Sequence, residues 1–216
     1  MKIAIFFTLF LALQASGHCQ TNLILKQTID SLYDIDQSVQ WELKRLIENN
    51  AGKDSIRIQD SIKKETYKRH IPILKNIYQE NGYPANELVG SETSSHFFVL
   101  IQHADNDLEF QSSMLPVLRD LSTKGKISKK DYAYLYDRVQ RNSGGKQRYG
   151  TQLSFDNRGN LFDADDNIIY PKDLENPEKV DKRRKKMGLE PIVEYYENVL
   201  KALGRPRRGK PHVASR

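Results

Sequence analysis

One long amphipathic pattern dominates the first part of the chain. Between Leu25 and Leu46 the apolar residues recur every three or four positions, which is the spacing of one face of an α-helix. The positions are Leu25, Ile29, Leu32, Val39, Leu43 and Leu46. Because a helix of this kind has to bury its apolar face against other elements, the pattern predicts a domain built mainly from packed helices.

One member of this series is an aspartate. Asp36 stands where the spacing calls for an apolar residue, within about 20° of Leu25 around a helix that turns about 100° per residue. A carboxylate in a buried seam is costly unless it is paired or hydrogen-bonded. The alternative is that Ile35 takes the core contact while Asp36 lies at a wet edge or a helix break, and the pattern alone leaves both interpretations open.

Further helical patterns follow along the chain. Residues 68–84 carry a stripe that stops at a Gly and a Pro, and residues 91–104 are apolar on nearly every side, as expected for a central helix. Asp107 and Ser128 are predicted helix caps. Two shorter helices are predicted after Pro177 and over residues 191–203.

The region after residue 143 has a different pattern of polar and apolar residues. Polar and apolar residues alternate around a turn-rich Asn-Arg-Gly-Asn centre, which predicts a small β-hairpin at about 150–163. The predicted fold is therefore a mainly α, multi-helix single domain with a small β-hairpin near its C-terminal third.

The N-terminus has the pattern of a secretory signal peptide. Lys2 precedes the eleven-residue apolar run "IAIFFTLFLAL", and small or polar residues follow; this run is too short for a transmembrane helix. Cleavage after Gly17 or after Cys19 fits. We therefore expect residues 1–19 to be a signal peptide and the protein to be exported, periplasmic or extracellular, with no transmembrane segment in the mature chain. Lipid anchoring through Cys19 is disfavoured because His18 precedes it.

The net charge of +6 is located at the two ends. Lys2 and the five basic residues of the segment 204–216 account for all of it, which leaves a nearly neutral domain over residues 20–203. A neutral domain offers no electrostatic footprint for nucleic acid. We expect the tail 204–216 to be disordered. Cys19 is the single cysteine, so the chain forms no internal disulfide and no cysteine-based metal site.

His103 follows the apolar run "HFFVLI" as part of "QHADNDLEFQ". His96 and His103 share a helical face but lie about 10.5 Å apart, too far to bind one metal ion. His103 is either a structural histidine bonded to a neighbouring carboxylate or a general base, oriented by Asp36, Asp105 or Asp137.

Two other segments combine polar residues densely. Asp137 and Arg138 project away from an apolar helical stripe, and Asp137 could pair with Arg141 on a solvated face. "KQRYGTQ", residues 146–152, offers neutral hydrogen-bonding groups and a glycine that permits close approach; the alternative is an ordered loop whose groups satisfy its own backbone. "DADDN", residues 163–167, lacks the glycine and glutamate of a calcium loop, and no cofactor or metal motif is present.

Several of these motifs occur in a familiar order. They are "ELVG" (87–90), "LIQHAD" (100–105), "LPVL" (115–118), "YAYLYDRV" (132–139), "QRYGTQ" (147–152), "NPEKVDKRRKKMGL" (176–189) and "EY" (194–195). The series resembles a bacterial family called domain of unknown function 6624, from about Asp36 to Tyr196. The resemblance implies a mostly helical domain and brings no established activity, substrate or cofactor.

The resemblance points to a mainly polar residue set. Carried over by position, the family motifs cover Gln102, His103, Asp105, Asp137, Arg138, Gln147, Tyr149, Gly150, Thr151 and Gln152, and Asp36-Gln37 resembles the Asp-Gln pair that often begins such domains. Our hypothesis gathers these residues into one pocket. His103, Asp137 and Arg138 are its hypothetical catalytic residues, and the others are ligand-binding residues.

Three functions are compatible with such a pocket. The first is an exported domain that binds a small molecule, peptide or partner protein. The second is a hydrolase-type acid–base enzyme in which His103 is the base and water the nucleophile. The third is a polar network without a pocket that specifies the fold.

Overall fold

The computed structural model describes residues 17–154, 160–163 and 167–204, with residues 17–22 described as backbone alone. These residues form eight α-helices and one 3₁₀ turn, Pro177–Lys179. The helices are α1 Gly17–Glu48, α2 Lys53–Asn81, α3 Asn86–Val89, α4 Ser91–Gln102, α5 Leu108–Thr123, α6 Lys129–Asn142, α7 Val180–Lys186 and α8 Ile192–Ala202. The predicted mainly α architecture is confirmed. Residues 1–16 of the predicted signal peptide and the tail from Arg205 onward lie outside the described residues, so export stays a prediction.

The main core lies between α1, α2 and α4, with α5 and α6 packed on its far side. Ile29 of α1, Leu74 of α2 and Phe97 of α4 are fully buried at its centre. The first helix buries Leu25, Ile29, Leu32 and Leu43 of its predicted stripe and partly buries Val39 and Leu46. Asp36 is buried with them, whereas Ile35 is half-exposed. The carboxylate therefore takes the core position that the spacing left open.

Two helix starts are fixed by the predicted caps. The Asp107 side chain accepts a hydrogen bond from the N–H of Phe110 at 2.9 Å, and Ser128 Oγ accepts one from the N–H of Lys130 at 3.2 Å. Asp131 in turn accepts from the backbone of Ser128, but Ser128 Oγ binds the N–H of Lys130 and not that of Asp131, so the predicted capping box forms only in part. These caps set the first turns of α5 and α6, the helices that carry Gln111 and Arg138.

The predicted β-hairpin at about 150–163 is wrong. No strand occurs in the described parts of the chain, where β pairing is limited to two isolated bridges, Gln147–Leu174 and Phe162–Ile168. Residues 147–152 form a loop: the N–H of Gln147 donates to the carbonyl of Asp173 in the first bridge, and the N–H groups of Arg148, Tyr149, Thr151 and Gln152 bind side chains. Residues 155–159, at the predicted turn, lie outside the described residues.

A second core holds the C-terminal part together. It is built from Leu161, Phe162, Leu174, Val180, Ile192, Tyr196 and Leu200. A small cluster of Ala133, Tyr149 and Leu189 lies where the C-terminal part meets α6. Within the described residues, no helix combines the length and hydropathy needed to cross a membrane.

Candidate functional site

The site begins with a contact between α1 and α4. Nδ1 of His103 lies 2.8 and 3.0 Å from the two carboxylate oxygens of Asp36, and Gln37 Nε2 donates to Asp36 Oδ1 at 2.8 Å. Asp36 is buried, while the His103 side chain keeps 15% of its exposure. An ionised carboxylate can only accept, so this contact requires the proton on Nδ1; in the uncharged tautomer of the ring, Nε2 is then an acceptor. We call this contact the His103 pair.

Helix α2 closes the His103 pair from a second side. The Tyr67 ring stacks on the imidazole of His103, with centroids 4.6 Å apart and planes at 14°. His70, one turn further on, is buried beside it. Burial lowers the pKa of His70, the charge of Asp36 raises it, and His103 lowers it further. The net decrease keeps the His70 imidazole neutral near pH 7.

A second group of polar side chains connects α4, α5 and α6. Arg138 donates from Nε to Asp105 Oδ1 at 2.8 Å and from Nη2 to the other carboxylate oxygen. Its Nη1 donates to Gln152 Oε1 at 3.2 Å, and Asn142 and Gln111 also donate to Asp105, at 2.9 and 3.3 Å. Burial raises the pKa of Asp105, but Arg138 outweighs it and holds that pKa below 3.8. We call these five residues the Arg138 network.

Tyr67 connects the two groups electrostatically. Burial is the main reason why the pKa of Tyr67 is raised; the charges of Asp36 and Asp105 raise it further, and Arg138 lowers it. The phenol is therefore neutral near pH 7, and the charges of both the His103 pair and the Arg138 network act on it.

Three buried polar atoms around these groups have no hydrogen-bond partner among the described residues. They are the hydroxyl of Tyr67, Nδ1 of His70 and Oε1 of Gln111. Buried polar atoms are nearly always paired in folded proteins, with protein or with ordered water. Two of these atoms belong to Tyr67 and His70, which adjoin His103, and their lack of a partner needs an explanation.

Asp137 has a different surrounding. Its buried carboxylate accepts from the N–H groups of Arg148 at 2.7 Å, Tyr149 at 3.1 and 3.2 Å, and Thr151 at 2.9 Å, and from Thr151 Oγ1 at 3.0 Å. Burial raises the pKa of Asp137, and these hydrogen bonds oppose the rise. Asp137 thus organises residues 147–152, which we call the 147–152 loop.

The loop is also held from its other side. Arg183 Nε donates to the carbonyl of Arg148 at 2.6 Å. The same peptide unit, which joins Arg148 to Tyr149, donates its N–H to Asp137. A cation and an anion therefore hold opposite ends of one peptide group.

Arg184 holds the next carbonyl of the loop. It is fully buried, and it donates from Nη1 to the carbonyl of Tyr149 at 2.8 Å and from Nε to the carbonyl of Glu190 at 2.6 Å. Its guanidinium lies over the ring of Tyr195, 4.9 Å from the centroid. Tyr195 also donates its hydroxyl to the carbonyl of Thr151 at 3.0 Å.

The loop's remaining polar groups satisfy each other. Gln147 Nε2 donates to the carbonyl of Gln152, and the N–H of Gln152 donates to Gln147 Oε1, both at 3.0 Å. Gly150 has a φ of +65°, and a Cβ atom there would lie 2.7 Å from Cδ1 of Ile192. The loop is therefore rigid, and it presents Gln152 to Arg138.

The structure brings together some of the residues that the sequence singled out and separates others. Asp36, Gln37 and His103 form one contact, and Asp105, Arg138 and Gln152 form the next. Asp137, Gln147, Tyr149, Gly150 and Thr151 belong to the loop instead. Gln102 contributes its carbonyl, which accepts from Gln111 Nε2 at 3.1 Å. The expected orienting carboxylate of His103 is Asp36, and Arg138 pairs with Asp105, not with Asp36.

A second histidine–aspartate contact lies on the same two helices. Nδ1 of His96 is 2.7 Å from Asp30 Oδ1, and the ring of Tyr33 stacks on His96 with centroids 3.8 Å apart. Lys26 donates to Asp30 Oδ2 at 2.6 Å and to Thr93 Oγ1 at 2.8 Å. Asp30 is more exposed than Asp36, and its carboxylate is shared with a lysine, so this contact is a natural control for the His103 pair.

Sequence reasoning did not single out Tyr67, His70, Arg183 or Arg184. Tyr67 and His70 lie on the same stripe of α2 as Ile71, Leu74 and Ile77. A polar residue within an apolar stripe is the same signal that pointed to Asp36 on α1. Arg184 lies four residues after buried Val180, but the basic run around it conceals the spacing.

Two cavities of about 480 Å³ lie elsewhere on the molecule. One is lined by Leu115, Pro116, Arg119, Asp120, Thr123 and Tyr132, and the other by Ile58, Ser61, Ile62, Glu65, Thr66 and Arg69. No cluster of three or more metal-ligating side chains occurs in the part of the chain that the structure describes.

Comparison with known proteins identifies the family of this chain. A family model described as "Family of unknown function (DUF6624)" matches residues 24–206. The match covers most of the chain, so the chain belongs to this family. No curated protein and no solved structure matches it.

Proposed function

We propose that this domain binds a small polar ligand at the His103 pair. The observation that carries the proposal is the orientation of His103, whose Nδ1 is held by buried Asp36 while Nε2 makes no hydrogen bond to the described residues. The site consists of Asp36, Tyr67, His70 and His103, with the Arg138 network at its edge. We call it the His103 site.

The unpartnered atoms define what such a ligand would contact. Tyr67 offers a neutral hydroxyl, and His70 offers a neutral imidazole whose Nδ1 is unpartnered. Leaving a buried polar group unpaired costs roughly 1–3 kcal/mol. A ligand with both donors and acceptors would recover this free energy, which favours a small, hydrogen-bonding molecule over an apolar one.

The surroundings support binding because they hold the site rigidly. His103 is fixed by a carboxylate on one side and a stacked ring on the other, and these come from α1 and α2. The Arg138 network is in turn fixed by the 147–152 loop through Gln152. Groups that are held before the ligand arrives lose little conformational entropy on binding.

Acid–base catalysis is a second candidate function of the same site. A carboxylate on Nδ1 leaves the Nε2 lone pair free to accept a proton from water, and the resulting imidazolium would be stabilised by Asp36. No side chain beside Nε2 stands out as a nucleophile among the described residues, so water would attack. Hydrolysis of a chromogenic ester by the wild-type chain and by His96→Gln, but not by His103→Gln, would favour this function.

The binding proposal is tested by thermal-shift measurements with a defined panel. The panel contains free amino acids, short peptides, monosaccharides, disaccharides and small carboxylic acids. A panel member present at about 100 times its Kd stabilises the folded state by about 2.7 kcal/mol, which corresponds to a rise in Tm of roughly 5–10 °C for a domain of this size. We expect this rise in the wild-type chain and in His96→Gln, and we expect it to be lost in His103→Gln.

His96→Gln is the matched control because it removes the same kind of contact from the same two helices. A rise in Tm that survives in His103→Gln would contradict the proposal. If no panel member raises the Tm and His103→Gln lowers stability by about 3–5 kcal/mol, the value for a buried charge left without its partner, the His103 pair is a structural network.

A further inference from the structure

The buried carboxylate of the His103 site has no lysine or arginine of its own. Asp36 is fully buried, and the side chains that donate to it are His103 and Gln37. Neither a lysine nor an arginine of the described residues forms an ion pair with it. A buried carboxylate without an opposite charge is costly, so a positive charge bound close to Asp36 would be stabilised.

The contact between His96 and Asp30 shows what is missing at the His103 site. There too an aspartate of α1 binds Nδ1 of a histidine of α4, but Lys26 Nζ also lies 2.6 Å from the other carboxylate oxygen. Lys26 stands four residues before Asp30, the spacing of an ion pair along a helix. The residue four positions before Asp36 is the apolar Leu32. The chain thus supplies an ammonium group to one contact and not to the other.

The charge of Asp36 also acts on the other polar groups of the site. Burial is the main cause of the raised pKa of Tyr67, and Asp36 raises it further. Burial lowers the pKa of His70, and Asp36 opposes this decrease. Arg138 has the opposite effect on Tyr67, but its guanidinium is bonded to both carboxylate oxygens of Asp105. With the imidazole uncharged, the negative charge of Asp36 therefore remains at the site.

The unsatisfied atoms at the site and its edge are mainly hydrogen-bond acceptors. In Gln111, Nε2 donates to the carbonyls of Ile101 and Gln102, so the buried atom without a partner is the acceptor Oε1. Nε2 of the uncharged His103 ring also accepts, and the Tyr67 hydroxyl can accept as well as donate. His103 caps the C-terminal end of α4, where the helix dipole places a partial negative charge. These features favour a ligand that donates hydrogen bonds and carries a positive charge.

We propose that the ligand of the His103 site is a protonated primary amine that also carries a hydroxyl group. Its ammonium group donates to Nε2 of His103, and with three N–H donors and no acceptor it matches the acceptors at the site. Its hydroxyl group supplies a partner for the buried atoms of Tyr67 and His70. This inference rests on the proposed function, because it names the class of ligand that the proposed site binds.

An ammonium group at Nε2 is close enough to Asp36 to be attracted by its charge. One imidazole ring and two hydrogen bonds of about 3 Å each separate the two charges. This separation is shorter than the Debye length of about 10 Å at 0.1 M salt, and buried charges are screened less than exposed ones. The His103 side chain is partly exposed, which gives a small molecule access to the ring. We therefore expect a cation to bind more tightly than a neutral or anionic molecule of the same shape.

The test is a thermal-shift comparison of molecules that differ mainly in charge. Ethanolamine, ethylene glycol and glycolate share a two-carbon skeleton with a hydroxyl group, and glucosamine, glucose and glucuronate form a second set on a larger skeleton. Kd follows from the dependence of Tm on ligand concentration, with the ionic strength held constant by sodium chloride. In each set we expect the Kd of the amine to be at least about tenfold lower than that of the neutral molecule, and the anion to bind most weakly.

Two matched variants locate the source of this preference. Asp36→Asn removes the buried charge but keeps an oxygen that can accept from Nδ1 of His103, and it should reduce the preference for the amine to less than about threefold. Asp30→Asn removes the corresponding charge from the contact with His96 and should leave the preference unchanged. An equal preference in Asp36→Asn and in the wild-type chain would overturn the proposal. The wild-type series alone tests the preference for positive charge if Asp36→Asn does not fold.

The outcomes separate this inference from the proposed function. A neutral or anionic molecule that raises the Tm as much as the amines, with the rise lost in His103→Gln, would overturn the inference and leave the binding site standing. A rise with the amines that survives in His103→Gln would place them elsewhere and overturn the inference. If no molecule of these two sets or of the wider panel raises the Tm, the proposed function and the inference both fail.

Discussion

Asp36 illustrates how much a single polar residue in an apolar stripe can reveal. Spacing placed Asp36 on the apolar stripe but left open whether Asp36 or Ile35 takes the core contact, and the structure buries Asp36 and leaves Ile35 half-exposed. The partner of Asp36 was not predictable from spacing, because His103 lies 67 positions away along the chain and Asp105 and Asp137 were equally plausible. Helix packing decides between them: α1 lies beside α4, whereas Asp137 faces the 147–152 loop.

His70 and Arg184 show where the same reasoning fails. Both are buried polar residues at core spacing, but each is surrounded in the sequence by other charged residues. A run of cations usually indicates a solvated face. Arg184 is buried instead because its guanidinium finds carbonyl oxygens of Tyr149 and Glu190 that need donors.

Asp131 should make the stability of the domain depend on pH. Burial raises the pKa of Asp131 from 3.8 to about 6. Because this pKa is higher in the folded state, the favourable contribution of Asp131 is fully present below pH 3.8 and is lost as the pH rises through about 6. Wild type should therefore lose stability relative to Asp131→Asn as the pH rises from 3.8 through about 6. At pH 7, Asp131→Asn should be the more stable chain by about 3 kcal/mol.

Urea unfolding of both chains at a series of pH values measures this difference. Asparagine keeps an oxygen that can accept from the backbone of Ser128, so the cap is retained. Asp120→Asn, on an exposed side chain of α5, controls for the loss of one surface carboxylate. A difference between Asp131→Asn and wild type that does not change with pH would contradict the prediction.

At the level of elements, the helices were predicted correctly and the hairpin was predicted wrongly. The helices follow from a local period of three to four residues and from caps such as Asp107 and Ser128. Alternation over about 150–163 has the period of a strand, but a strand also needs a neighbour to receive its hydrogen bonds. In the 147–152 loop, backbone N–H groups donate to the side chains of Asp137 and Gln147 instead. A local sequence pattern cannot predict these contacts.

The 147–152 loop should depend strongly on Arg184. Arg184→Met fills a similar volume but leaves the carbonyls of Tyr149 and Glu190 without these donors. Since each buried group left unpaired costs about 1–3 kcal/mol, the substitution should lower the free energy of unfolding by roughly 2–5 kcal/mol. Urea unfolding at neutral pH measures this loss.

Lys182→Met is the matched control on the same helix, because Lys182 is exposed. We expect it to change stability by less than about 0.5 kcal/mol, as is usual for surface positions. Equal effects of the two substitutions would mean that Arg184 does not hold the loop.

At the scale of the whole molecule, two cores are joined through the 147–152 loop. The larger lies among α1 to α6 and the smaller among residues 161–200. The sequence predicted a single domain, but it did not predict that the domain has two cores, because both cores use the same apolar residue types. The division becomes visible only through contacts between distant positions, such as Gly150 against Ile192.

Mutations in the two cores should therefore have different spatial effects. Leu74→Ala and Ile192→Ala each remove a fully buried side chain and should cost about 2–5 kcal/mol. For Ile192→Ala we expect faster hydrogen exchange confined to the 147–152 loop and residues 161–202, since the larger core keeps its contacts. For Leu74→Ala we expect faster exchange in α1, α2 and α4.

Hydrogen exchange followed by mass spectrometry resolves these regions. Ile73→Ala is the control, because its exposed side chain precedes Leu74 on the same helix, and it should alter neither region. Faster exchange throughout the chain in Ile192→Ala would mean that the two cores unfold as one unit.

The peptide unit between Arg148 and Tyr149 has one further consequence. Its carbonyl points at a guanidinium and its N–H at a carboxylate, so rotating it by half a turn would bring like partial charges face to face. The peptide unit therefore has one electrostatically favoured orientation. Gln152 consequently meets Arg138 from a backbone that has no second orientation available to it.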